Sequence, residues 1–185
     1  MKYFAALLLT FASAATAQQI ADNPEMARIY EADQSVRANI PKDATPAYFG
    51  KMIEEDKARQ VRTAELLKAG ALQSGKDFQR AAFIFQHGDK PGDYLLAHSL
   101  AIVAMAKGDA EASWIAAATL DRYLMAINQP QIYGTQYKFP DAKTVTQDPY
   151  DRALIGDALR GALGVPVQAD QEKRRAGMEA DRRKP

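Results

Sequence analysis

Asp121-Arg122 lies inside the apolar helical stretch Trp114–Met125, and the polar run Gln131-Ile132-Tyr133-Gly134-Thr135-Gln136 follows shortly after. Upstream, Gln86-His87 ends an apolar run and leads into Gly88-Asp89. Charged and amide groups on a buried face are costly unless they are paired or used. Specific chemistry is therefore to be sought at these residues. His87 has the side chain of a general base, Asp121 could orient it, and Arg122 could stabilise developing negative charge. Those are the parts of a metal-independent hydrolase or lyase. Gln86, Gln131, Tyr133, Thr135 and Gln136, with Asp33 and Arg37 nearer the N-terminus, suit a different task. Their amides, hydroxyls and charges could hold a small polar ligand, such as a sugar, or a peptide.

The same groups have a plainer use. Asp33, Arg37, Asp56, Asp121 and Arg122 could be internal ion pairs that tie helices together. Tyr133-Gly134-Thr135-Gln136 could be a tight turn into an edge strand, with Gly134 supplying a positive φ. His98, sharing a helical face with Tyr94, Ile102 and Met105, reads as a satisfied core histidine. Both uses of the polar set stay open from the sequence. Metal and cofactor chemistry has little to build on. There are two histidines without ligand spacing and no cysteine. G-x-S-x-G, H-E-x-x-H and phosphate-binding glycine loops are absent.

In their order along the chain, Asp33-Gln34…Arg37, Gln86-His87…Asp89, Asp121-Arg122 and the closing Q-x-Y-G-T-Q of Gln131–Gln136 resemble domain of unknown function 6624, an uncharacterised bacterial family. The resemblance spans the stretch from Glu25 to Pro166. It implies that Gln86, His87, Asp121, Arg122, Gln131, Tyr133 and Gln136 belong to one site or one structural signature. The family carries no established activity.

The elements that must position these residues are nearly all helical. Asn23 and Pro24 suit the start of a helix reaching Arg37. Thr45-Pro46 opens a long one to Lys68, closed by Gly70. Ser74 to Gln86 is a third, and Pro91 begins a fourth that ends at Gly108. Asp109 caps a fifth that runs to Ile127. The third and fourth are apolar almost all round and are expected at the centre of a bundle. Ala97, Ala101, Ala104, Ala112 and Ala116 would allow close helix approach. Met52, Ile53, Ala64 and Leu67 are expected on one face with Asp56 and Gln60. Beyond Asn128, Gln131–Phe139 and Lys143–Gln147 are strand-prone and separated by the turn signal Pro140-Asp141. Tyr150 to Leu163 reads as a short helix. From Gln168 the chain is polar and charge-mixed, as a frayed tail would be. The expected fold is mainly α: an antiparallel helical bundle or stacked helical hairpins with a small C-terminal β-ribbon. The divisions are a signal peptide at 1–17, one helical domain at 18–167 and a tail at 168–185.

Lys2, the apolar run Phe4–Phe11 and Ala15-Thr16-Ala17 have the form of a secretory signal, which makes Gln18 the expected first residue of the mature chain. Loss of Lys2 takes the formal net charge from +1 to 0. A neutral body does not capture nucleic acid or anionic lipid electrostatically. No cysteine follows the cleavage site to carry a lipid, so no stable membrane anchoring is expected. The expectation is a periplasmic or secreted protein of the cell envelope that binds a small polar ligand or a peptide. The alternative is the hydrolase or lyase with His87 as base.

Overall fold

The computed structural model describes residues 20–183. The expected signal peptide lies outside them. Seven helices are present among the described residues: α1 Pro24–Ala38, α2 Pro46–Lys68, α3 Gly75–Phe85, α4 Pro91–Ala106, α5 Ala112–Ala126, α6 Asp157–Ala162 and α7 Gln168–Arg182. The start signals behave as their chemistry requires. Asn23 Oδ1 accepts from the backbone N–H of Glu25 and Met26, and Thr45 Oγ1 accepts from Tyr48 N. Ser74 and Asp77 form a reciprocal capping box. Asp77 does more than cap. It is fully buried and also accepts from Asn23 N at 2.8 Å, which locks the start of α1 to the start of α3. The first residue of α5 follows Glu111 rather than Asp109. Asp109 instead accepts from Glu111 N at 3.2 Å, one turn before the helix proper.

The helices stack in an open array. α1, α2 and α3 pack mutually, α3 packs on α4, and α4 on α5. Met26, Leu66, Ile84, Phe85, Leu100 and Ile115 fill the core. Ala97, Ala101, Ala104, Ala112 and Ala116 are all buried in it, the small side chains that let α4 and α5 approach closely. The open array corrects the expectation that α4 is central. Its main neighbours are α3 and α5 only, so Leu95, Leu96, Ile102 and Val103 face solvent. On α2, Ile53 is 52% exposed, and the inward positions are Asp56, Thr63 and Leu66.

The β-ribbon is also corrected. The described residues contain no strand; 131–150 holds two isolated bridges, Gln131 with Tyr150 and Lys138 with Thr146. The physical reason is that side chains have taken the backbone groups a ladder would use, as described below. The expected helix from Tyr150 shortens to α6. Where a frayed tail was expected, α7 forms and packs against the loop. It buries Gln171 and half-buries Arg175, Met178 and Glu179 on the same face.

Candidate functional site

Three polar assemblies carry the residues singled out in the sequence. The first is built around Asp121, which is fully buried. Its Oδ1 accepts from Ile132 N at 2.8 Å and Tyr133 N at 3.0 Å. Its Oδ2 accepts from Thr135 N at 2.9 Å and Thr135 Oγ1 at 2.7 Å. One carboxylate thus folds the 131–136 loop around itself. Gln131, also fully buried, closes the loop from within: its Oε1 accepts from Gln136 N at 3.0 Å, and its Nε2 donates to Gln136 O at 2.9 Å and to Gln147 O.

The loop carbonyls are claimed from outside. Arg160 donates to Tyr133 O and, at 3.2 Å, to Ile132 O. Gln171 Nε2 donates to Tyr133 O at 2.8 Å, and Gln147 Nε2 to Gly134 O. Gly134 has φ +72°, and a Cβ there would run into Gln171 Oε1 and the Tyr150 ring. The glycine is required both by conformation and by space. Burial is the main cause that raises the Tyr133 and Tyr150 phenols above their usual range.

The second assembly joins α1, α2 and the end of α3. Arg37 bridges Asp33 at 2.7 Å and Asp56 at 2.8 Å. Arg59 pairs with Asp56 at 2.7 Å and lies 3.7 Å from Asp33. Gln34 Nε2 donates to Asp33 Oδ2 at 2.8 Å. The imidazole of His87 stands beside the same carboxylate, Nε2 to Oδ2 3.6 Å, too far for a hydrogen bond, and this nitrogen is buried without a partner. Gln86 is buried at the α3 C-cap. The structure therefore separates the pair that sequence reading joins. The carboxylate near His87 is Asp33, while Asp121 is occupied by loop amides. Among the described residues no group of three or more His, Asp or Glu side chains converges as a metal site.

The third assembly is a cleft of about 320 Å³ between α4, α5 and the loop, lined by Tyr94, Arg122, Met125, Ala126, Gln136 and Lys138. Consecutive helical residues diverge by about 100° around the axis, so Asp121 meets the loop while Arg122 lines the cleft. Arg122 makes no hydrogen bond or ion pair, and its Nε is buried with no acceptor. Burial lowers its pKa. Tyr94 acts in the opposite sense, Arg37 adds to the lowering, and no carboxylate is among these influences. Tyr94 donates its own hydroxyl to Gly88 O at 2.8 Å. Gln136 Nε2 donates to Ala118 O at 3.3 Å and Thr135 Oγ1 at 2.9 Å. Ala118 O can only accept, so the amide orientation is fixed and Oε1 is left without a protein partner. The Lys138 backbone is pinned by two bonds to Thr146, at 2.7 and 3.0 Å, and its ammonium forms no ion pair.

Of the residues expected to share a site, Arg122 and Gln136 meet in the cleft. Asp33, Arg37 and His87 gather in the ion-pair network. Gln131, Tyr133 and Thr135 belong to the loop cage. Sequence reading missed Arg59, Asp77, Lys138, Gln147, Arg160 and Gln171. Gln171, Arg175, Met178 and Glu179 do follow helical spacing, but the stripe is largely polar, and apolar periodicity does not register it. Arg160 sits in a six-residue helix whose Leu159 is 50% exposed, so no apolar face marks its direction. No protein-family model matches the chain, and neither a curated protein nor a solved structure is detectably similar to it.

Proposed function

We propose that this chain is a binding protein of the cell envelope that holds a small polar ligand in the cleft between α4, α5 and the 131–138 segment. The observation that carries this reading is Arg122. A largely buried guanidinium without a partner is costly to the fold, and it stands in the wall of an open cleft beside a second unpaired polar atom, Gln136 Oε1. The volume, about 320 Å³, is at the small end of ligand sites and suits a metabolite-sized molecule better than a long peptide segment. Gln136 Oε1 would accept from a ligand N–H or O–H, and Met125, Ala126 and the Tyr94 ring would cover its apolar part.

Export to the periplasm or medium is part of the proposal, on the strength of the signal-like N-terminus. No helix of the described residues is long and apolar enough to cross a membrane. The hydrolase or lyase reading has less behind it. His87 does not line the cleft, and the carboxylate assigned to orient it is engaged elsewhere.

The test is a ligand-observed NMR screen of the purified protein against sugars, dipeptides, nucleotides and organic acids. Binders are expected that lose affinity in both Arg122→Met and Gln136→Met. A library without binders, or binders indifferent to both substitutions, would overturn the reading.

A further inference from the structure

The charges around Arg122 do not balance. Arg37 and Arg59 share the carboxylates of Asp33 and Asp56 within 2.7–3.7 Å, and Arg59 also faces Glu55 at 3.8 Å, so both of these cations are matched by anions. Arg122 is left over. It is close enough to Arg37 to be acted on by its charge, and it has no carboxylate of its own. The cleft it lines contains Lys138 as a second unpaired cation and, among the described residues, no acidic one. Tyr94, Met125, Ala126 and Gln136, the remaining lining, carry no formal charge to offset the two.

We infer that the ligand of this cleft is an anion, a small molecule whose carboxylate or phosphate group is gripped between the Arg122 guanidinium and the Lys138 ammonium. The inference rests on the binding reading above and narrows it to a chemical class. A planar guanidinium presents paired N–H donors to two oxygens of either group, and charge-assisted bonds of this type are stronger than neutral ones. Partial burial strengthens them further, because the same desolvation that makes an empty Arg122 costly makes a filled one favourable. Lys138 supplies a point charge from a backbone position fixed by the Thr146 bridge. Gln136 Oε1, an acceptor, would repel an anion placed against it, so the anionic group belongs at the Arg122–Lys138 side and a ligand donor at the Gln136 side.

The experiment is a two-dimensional amide NMR titration of the purified protein at constant ionic strength with three probes: sodium acetate, its neutral isostere acetamide, and sodium phosphate. Saturable shifts confined to residues around Arg122, Gln136 and Lys138 are expected with acetate or phosphate and not with acetamide. The better binder of the two anions identifies the head group. Arg122→Gln should weaken anion binding by roughly tenfold or more, and Lys138→Gln by less, with the spectrum otherwise that of the folded protein. If acetamide or neutral members of the screen shift the cleft while both anions do not, the anion assignment is wrong and the binding reading stands. If no probe and no library member perturbs these residues, both are wrong. Anion-induced shifts that persist unchanged in Arg122→Gln would also overturn the assignment.

Discussion

Replacing Asp121 by asparagine would exchange one of two acceptor oxygens for a donor, against a ring of four protons from Ile132, Tyr133 and Thr135. At least one backbone N–H would then face an NH₂ group: Thr135 N on one side, where the Thr135 hydroxyl can turn to accept, or both Ile132 N and Tyr133 N on the other. Leaving such groups unsatisfied costs about 1–3 kcal/mol each. Asp121→Asn should therefore lose about 1–3 kcal/mol in urea unfolding, with the midpoint moved down. A change under about 0.5 kcal/mol would show that the loop does not depend on this carboxylate. The sequence makes Asp121 visible as a charge on an apolar helix, and it makes Arg122 visible for the same reason. It does not reveal their partners, because Asp121 pairs with backbone N–H groups that carry no residue signature. The His87–Asp121 pairing drawn from residue types fails on the same point. Asp33 lies near His87 only because α1 packs against α3.

The stretch from 131 to 182 shows how an element is held when its polar atoms, and not an apolar face, do the ordering. Gln131, Gln147, Arg160 and Gln171 are each almost fully buried, and each donates to a loop carbonyl. Strand propensity in this stretch counts for little once its N–H and C=O groups are spoken for, which is why a ribbon is not found. Helices α1 to α5 are legible because caps or apolar runs mark them. α7 is illegible because its buried face is Gln171, Arg175 and Glu179.

Gln171→Ala should remove the bonds to Tyr133 O and Pro166 O, at 2.8 and 2.9 Å, and cost about 1–2 kcal/mol. The loss should be read as faster hydrogen exchange in the 131–136 amides, with α1 to α4 unchanged. Unaltered exchange in the loop would mean that α7 merely rests on it.

Alkaline pH probes the same region. Tyr133, Tyr137 and Tyr150 all have phenols raised by burial, so the folded chain holds these protons more tightly than the unfolded one. Their contribution is complete below the ordinary phenol value, about 10, and is lost as pH rises through the raised folded values. Stability should fall above that point, and tyrosinate absorbance should appear together with loss of loop structure. Full tyrosine titration with the fold intact would contradict it.

At the scale of the whole molecule, the two halves meet along α5. Its Ile115 and Ala116 complete the core of the helical array, while Asp121 organises the loop on which α7 packs. Between them lies the cleft, and in its wall a cation that the fold does not neutralise. Much of the remaining polar set is matched: Asp121, Gln131 and Gln171 each make several hydrogen bonds, and Asn23, Thr45 and Ser74 cap their helices. An unmatched, partly buried charge in the wall of a cleft is the kind of local inconsistency that binding sites impose.

The most direct measurement is the urea unfolding free energy of Arg122→Met beside the unaltered protein. Methionine keeps the apolar stem and removes the guanidinium. If Arg122 is held in readiness for a ligand, the variant should be as stable as the parent or more stable, by about 1–2 kcal/mol. A loss of about 3 kcal/mol would mean that the guanidinium supports the fold, and the binding account would fail.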